Sequence, residues 1–411
     1  MDKKLPKDWK IKKLREICNF VGGGTPSKNN PDFWNGDIPW ASIKDIKGQY
    51  LTKTSDYITD VGLKKSATNL ANPNEIILAT RINPGRPIIT KIKTSINQDL
   101  KIVRPKIEIN SDFLYYLFLN IENDIIKLSN GTTVLGMTLN SLNEIDIHLP
   151  SLEIQQAIVS KIEELFSELD KGIEDLKTAQ LQLKTYRQSV LKWAFEGKLT
   201  NENVKDGELP KGWELKTLGE LGKWKGGGTP SKQNKSFWEN GTNLWVSSKD
   251  MKFKNINDSI DKITDDAITK SSAKMIYKGA ILFVMRSGIL RHTFPVAIAC
   301  KDLTVNQDLQ TVEPFEYIDS EYLYWFIIGN NQKIRQECSK DGTTVESIDT
   351  TSLKKYNVPI APIEEQHLIV QEIESRLSVA DKMEESIAQS LQQAEALRQS
   401  ILKKAFSGEL V

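Results

Sequence analysis

The sequence is poor in the residues from which reactive sites are built. Three cysteines, Cys18, Cys300 and Cys338, are scattered through 411 residues, which excludes a disulfide framework and a cysteine-rich zinc site. Three histidines, His148, His292 and His367, have no partner at metal or triad spacing and read as surface or core side chains. No apolar run approaches the roughly 20 residues of a membrane span. The start, Met1-Asp2-Lys3-Lys4-Leu5-Pro6, lacks the apolar core of a signal peptide, so the cytoplasm is the expected compartment and no membrane partner is expected. There is no G-x-x-x-x-G-K-S/T loop, so ATP hydrolysis is not expected. The D/N-P-P-aromatic loop of an exocyclic-nitrogen methyltransferase is also missing, and the nearest stretch, Asn83-Pro84-Gly85, reads as a turn. Arginine is scarce, ten against 45 lysines.

At 39% hydrophobic and 27% charged, the composition is that of an ordinary globular protein with room for two or three domains. The net charge of +1 hides an uneven distribution. Residues 1–150 carry 21 basic and 16 acidic side chains, and residues 361–411 carry 5 and 9. Residues 151–200 (7 and 8) and 201–360 (22 and 21) are close to neutral. The mildly basic first segment permits nucleic-acid binding without demanding it.

The dominant signal is an internal repeat. LPKDWKIKKLREICNFVGGGTPSK (5–28) returns as LPKGWELKTLGELGKWKGGGTPSK (209–232). Phe33-Trp34 returns as Phe237-Trp238, and Trp40–Asp45 as Trp245–Asp250. Asn97-Gln98-Asp99-Leu100 returns as Asn306-Gln307-Asp308-Leu309, and Gly131–Val134 as Gly342–Val345. RQSVLKWAFEGKL (187–199) returns as RQSILKKAFSGEL (398–410). One unit of about 205 residues is written twice.

Each unit has two parts. In the first, Glu75–Thr80 and Ile88–Ile92 read as strands around the Asn83-Pro84-Gly85 turn, and Phe113–Leu128 as an amphipathic helix. Ala280–Met285, Pro295–Ala299 and Tyr322–Cys338 are their repeats. This predicts a mixed α/β globule. The second part is one long helix, Glu153–Phe195. Ser151 is positioned as its cap, and a heptad seam runs through Ile162, Leu165, Leu169, Gly172, Leu176, Ala179, Leu183, Tyr186, Val190 and Trp193. A rod of about 64 Å at 1.5 Å per residue cannot leave that stripe in water. Its repeat, Glu364–Phe406, offers Ile373, Leu377, Ala380, Ile387, Leu391, Ala394, Leu397 and Ile401. The expected architecture is two α/β (α+β) globules, 1–150 and 201–360, each followed by a helix, 151–200 and 361–411, with the helices paired as an antiparallel coiled coil and Asn201–Gly207 as a linker. Antiparallel pairing would place the globules at opposite ends about a pseudo-twofold axis.

Two globules with a W…GGGTP…W pattern, each followed by P-x-(L/I)-E-x-Q-x-x-I-V and a helix ending F-x-G-x-L, resemble the specificity subunit of type I restriction–modification systems. The matching helix starts are Pro150-Ser151-Leu152-Glu153-Ile154-Gln155…Ile158-Val159 and Ala361-Pro362-Ile363-Glu364-Glu365-Gln366…Ile369-Val370. No single motif is diagnostic, but the doubled arrangement covers essentially the whole chain. The resemblance implies a non-catalytic DNA reader whose globules are target-recognition domains, each taking half of a split double-stranded site. The helices would act as spacer and docking surface for two modification (methyltransferase) subunits, with restriction (translocase/nuclease) subunits joining through the complex. No cofactor is implied.

The residues themselves supply no competing chemistry. A nuclease imagined from Pro31-Asp32 and Asp99-Leu100-Lys101 loses its aspartate and lysine in the second copy, where Lys235-Ser236 and Asp308-Leu309-Gln310 stand. A protein–protein adaptor with no DNA preference remains the alternative of a different class. For DNA, Gly22–Lys28 could offer backbone N–H groups and Lys28 to a phosphate, or could be a tight turn that lets Trp34 pack. Trp9, Trp34, Trp40 and their repeats Trp213, Trp238 and Trp245 are expected in the core. Arg81 and Arg86 flank the hairpin turn, as Arg286 and Arg291 do in copy two. Being repeated, they suit fold or phosphate contact better than base choice. Base reading should lie where the copies differ: Lys47–Tyr50 against Phe253–Ile256, Ile82–Asn83 against Ser287–Leu290 with His292, and Leu135–Thr138 against Glu346–Asp349. The candidate DNA-binding residues are Lys28, Lys44, Lys47, Arg81, Asn83, Arg86, Thr132, Thr133, Lys232, Lys249, Lys254, Arg286, Arg291, His292, Thr343 and Thr344.

Overall fold

A computed structural model of the chain describes residues 6, 8–129, 137–201, 203–205, 207–340 and 345–411. It divides into two compact units, Met1–Lys177 with Ala388–Val411, and Thr178–Ile387. Each unit holds one globule and a segment of both long helices.

In the first unit a five-stranded sheet runs in the order Cys18–Gly22, Leu100–Pro105, Ile76–Ala79, Pro87–Thr90, Tyr50–Leu51. Its pairings are antiparallel except the last. A four-stranded sheet follows the order Asp56–Ile58, Trp34–Ala41, Thr94–Ile96, Leu70–Ala71. Lys10–Lys13 pairs with Asp146–Leu149, the strand just before the central helix. Side chains alternate across a strand. Ile76 and Leu78 accordingly enter the core shared with the helices, while Ile77 and Ala79 enter a second core beneath the other sheet. Burial on both faces explains the unbroken apolar run. The second unit repeats this with Ile281 and Phe283 on one side and Leu282 and Val284 on the other. Its second sheet keeps three strands, and an isolated Ile276–Leu303 bridge replaces the fourth.

Three of the expected strands shorten by a residue at one or both ends, the fourth runs Pro87–Thr90 in place of Ile88–Ile92, and the hairpin turn holds, with Gly85 at φ +94°. One helix differs. Tyr322–Cys338 is two helices, Ser320–Gly329 and Asn331–Cys338, divided at Asn330. The glycine lies against the Leu191 side chain of the central helix, where a Cβ would come within 3.1 Å.

The long helices are Leu152–Phe195 and Ile363–Phe406. In the first unit Asp170 pairs with Arg398, and His148 Nδ1 lies 3.2 Å from the Phe406 carbonyl. In the second, Arg187 pairs with Asp381 (2.6 Å) and Glu384 (2.9 Å), and Thr200 donates to Glu365 (2.7 Å). Both sets place the start of one helix against the end of the other, so the segments are antiparallel in each unit. The seam needs three corrections. Gly172 is exposed with open space around it, and half-buried Ile173 takes its turn. Trp193 is 40% exposed because the 3-4 rhythm brings Ala194 inward instead. Leu397 is 50% exposed beside Arg398, which spends its guanidinium on Asp170 and on the Phe166 ring, 4.5 Å from its centroid.

Each globule helix is wedged against both long helices. Phe113, Phe118 and Ile121 pack with Ile158, Ile162, Phe166, Leu402 and Phe406. Tyr322, Leu323 and Phe326 do the same with Val190, Phe195, Ile369 and Ile373. Each such side chain contributes about 1.5–3 kcal/mol by leaving water. Direction comes from a buried glutamine. Gln155 accepts from Asn110 N–H (3.0 Å) and donates to the Pro150 carbonyl (3.0 Å). Gln366 accepts from Asp319 N–H (2.8 Å) and donates to the Tyr317 (3.0 Å) and Ala361 (2.8 Å) carbonyls. Asn110 and Asp319 also cap their globule helices, so helix start, cap and glutamine form one joint. Replacing Gln155 or Gln366 with leucine strands buried backbone groups. We expect losses of roughly 1–3 kcal/mol each, larger at Gln366, in chemical denaturation of the full chain.

Candidate nucleic-acid interface

Gly22-Gly23-Gly24-Thr25-Pro26 is a close-approach device. A Cβ on Gly23 would meet the Asn97 carbonyl at 2.0 Å, and one on Gly24 the Ala67 backbone at 2.6 Å. Gly227 and Gly228 meet Asn306 and Ser272 in the same way. Trp40 donates its Nε1–H to the Gly24 carbonyl (3.1 Å), and Trp34 donates to Ser27 (3.1 Å). Trp245 and Trp238 repeat both bonds at 3.0 and 3.1 Å. The two indoles of each pair meet edge-on, 5.1 and 5.0 Å apart. Trp40, Trp213 and Trp245 are core residues, whereas Trp9, Trp34 and Trp238 are only half-buried.

The glycine loop is fastened to a ring of other loops. Thr25 hydrogen-bonds Gln98, and Asn97 N–H donates to the Ala41 carbonyl (2.9 Å). Thr80 N–H donates to Asp99 (2.8 Å), Met137 N–H to Thr80 (2.9 Å), and Arg81 lies 3.6 Å from Asp99. In the second unit Thr229 meets Gln307, Met285 N–H donates to Asp308 (2.8 Å) and Ile348 N–H to Met285 (2.8 Å). Loops distant in sequence therefore converge on one edge of each globule.

Lys28, Lys47, Lys232 and Lys249 are exposed on this edge, and no ion pair or side-chain hydrogen bond engages their ammonium groups among the described residues. Asn83 is exposed at its turn, beside Ile82, a β-branched residue at φ +68° that is half-exposed. Arg286 is exposed, and its backbone bridges Ser347. His292 is exposed, and its carbonyl accepts from Arg335 (2.5 Å). Other candidates are engaged. Lys44 pairs with Asp56 (2.8 Å), Arg86 with Glu122 (3.4 Å) and Arg291 with Glu346 (2.7 Å). Asp349 caps the short helix Thr350–Lys354. Lys254 lies between Glu321 and Glu374 (2.8 Å to the latter), over the Tyr324 and Trp325 rings. Thr132, Thr133, Thr343 and Thr344 lie outside the described residues, as do Leu135 and Gly136.

Lys101 was absent from those candidates, although its Nζ lies 3.3 Å from where a Gly22 Cβ would be. Burial lowers its pKa, Arg81 adds to the fall and Asp99 opposes it. Copy two holds neutral Gln310 against Gly226 there. The signal was available in the Asp-Leu-Lys/Asp-Leu-Gln difference. Among the described residues no group of His, Cys, Asp or Glu is arranged to hold a metal, and no helix is long and apolar enough to cross a membrane. His148 and His367 contact Phe406 and Asp319 (3.5 Å to the latter).

The chain is thus a duplicated α/β globule, each copy with a converged loop edge and a helical joint. Residues 6–178 and 210–395 match the type I restriction modification DNA specificity domain. The chain belongs to that family, whose specificity subunits are the non-catalytic part of the enzyme. It is 36% identical over 249 residues to the type I restriction enzyme EcoR124I/EcoR124II specificity subunit of Escherichia coli, a match spanning 61% of this chain and 57% of that relative. It is 27% identical over 424 residues to the MjaIX specificity subunit of Methanocaldococcus jannaschii, covering 99% and 94%. Its fold is like that of a chain solved in work on complex assembly and conformational transition of the type I R-M system (TM-score 0.73, 20% identity, 99% and 100% covered). It is also like the HsdS subunit from Thermoanaerobacter tengcongensis (TM-score 0.64, 20% identity, 99% of each chain).

The edge predicts a split between neighbouring substitutions. Gly23→Ala forces a Cβ into backbone and should cost at least about 2 kcal/mol in thermal or denaturant unfolding. Lys28→Ala, on the same loop, should stay within about 0.5 kcal/mol of the parent.

Proposed function

We propose that this chain reads a two-part double-stranded DNA site, with one half taken by the loop edge of each repeat. The observation that carries this reading is the same edge built twice, with exposed, unpaired lysines in each copy, in a member of a DNA specificity family. Residues 1–150 and 201–360 act as recognition domains, and 151–200 and 361–411 as spacer. Phosphate contact falls to Lys28, Lys232, Lys249 and Arg286, which both copies or their neighbours supply. Base choice falls to segments that differ: Lys47, Ile82 and Asn83, His292, and the Lys101/Gln310 pair. Arginine and lysine can pair with guanine edges, and asparagine or glutamine with adenine. Lys44, Arg86 and Arg291 join the contact only by exchanging their carboxylate partners for DNA.

Methyl transfer and cleavage belong to partners of this chain. Two modification subunits dock on it, restriction subunits join through them, and the assembly works in the cytoplasm with the DNA. Sequencing that detects methylated adenines, applied to DNA modified by the assembled complex, should return one bipartite motif; methylation without sequence preference would sink the reading. In binding titrations, Lys28→Ala with Lys232→Ala should lower affinity for all sequences alike and reduce the salt slope by about one per lost phosphate contact. Inserting one heptad into both long helices should lengthen the gap between half-sites and leave the half-sites unchanged.

A further inference from the structure

Each unit carries an equivalent cluster of two carboxylates and two aromatic rings, and only in the second does a lysine of the chain pair with it. In the second unit the Lys254 ammonium sits between Glu321 of the globule helix and Glu374 of the C-terminal helix. The Tyr324 and Trp325 rings lie 5.4 and 4.9 Å from it. Two carboxylates and two aromatic faces satisfy a desolvated cation well.

Backbone bonds establish the equivalent positions in the first unit. Ile298 N–H donates to the Lys254 carbonyl (2.7 Å), and Ile89 N–H to Gln49 (2.9 Å). Gln49 therefore stands where Lys254 does. The two glutamine joints fix the long helices against the capped globule helices in the same way, so Asp112, Tyr115, Tyr116 and Glu163 correspond to Glu321, Tyr324, Trp325 and Glu374. Tyr115 and Tyr116 stack edge-on 5.2 Å apart. Neither the Asp112 nor the Glu163 carboxylate has a hydrogen bond or ion pair among the described residues. Burial and then Asp112 raise the pKa of Glu163, and burial, followed by Asp112 and Glu163, raises that of Tyr50. The nearby cations are held elsewhere. Lys91 bonds Asn74 (3.1 Å) and lies over the Tyr50 ring, and Arg398 is committed to Asp170 and Phe166. Gln49 turns its amide to the Tyr50 hydroxyl (3.0 Å).

We propose that the cage formed by Asp112, Tyr115, Tyr116 and Glu163 receives a lysine ε-ammonium from a modification subunit, in the place that Lys254 occupies in the other repeat. The proposal rests on the reading that modification subunits dock on this chain. It makes the two repeats unequal partners: one cage is closed from within, the other by the assembly.

The test uses the full chain and purified modification subunit. Asp112→Asn with Glu163→Gln should weaken their association roughly tenfold or more, the scale of one desolvated ion pair. Gln49→Lys should fill the cage from within, raise the melting temperature of the free chain and weaken association similarly; it guards against loss of fold in the carboxylate variant. Carbodiimide coupling of the wild-type complex should join Asp112 or Glu163 to a lysine of the modification subunit. Wild-type association by both variants overturns the proposal and leaves the parent reading intact. If the wild-type chain fails to capture the modification subunit, the parent reading falls and takes the proposal with it.

Discussion

The glutamine at the start of each long helix is the interaction on which the rest depends. Packing alone would let a globule rock on a greasy helix, because hydrophobic contact is not directional. Gln155 and Gln366 add direction. Gln155 ties the N–H of the Asn110 cap to the Pro150 carbonyl, and Gln366 ties that of Asp319 to the Ala361 and Tyr317 carbonyls, in a buried setting where an unmade bond is costly. That joint holds the globule helix, and the core packed behind it, at one fixed place on the long helices in both repeats.

The duplication was plain in the sequence, and so were the two long helices and the make-up of each repeat as a globule followed by a helix. Periodicity carried these, because a seam or an alternating strand repeats its signal over many residues. The errors fell where one residue decides. Gly172 and Ile173 compete for one turn of the seam, as do Trp193 and Ala194, and a few degrees of helical phase settle the matter. Leu397 lost its place to Arg398 because a guanidinium can lie on Phe166 and still reach Asp170. The arginines of the repeated RQS motif were visible as a repeat, but their partners stand more than 190 residues away in sequence, beyond any local pattern.

The candidate interface was half legible. The glycine loop, the Asn-Gln-Asp turn and the arginine turn all announced themselves by recurring. Their convergence did not, because it depends on hydrogen bonds between loops. The sequence also could not sort free cations from committed ones. Lys47 and Lys254 stand in neighbouring segments of the alignment between repeats, yet one faces solvent and the other is enclosed by two glutamates and two aromatic rings. Charge on a loop becomes meaningful only once its nearest counter-ion is known.

The glycine–tryptophan fastening has a consequence for how such a protein can change. Gly23, Gly24, Trp40 and the threonine–glutamine bond hold the edge by backbone approach and indole donors, so exposed side chains such as Lys47, Asn83 and His292 contribute almost nothing to its shape. Mutation can sample those positions at little risk to folding. The glycine positions beneath them have no such latitude, because a Cβ on Gly23 or Gly24 would run into backbone.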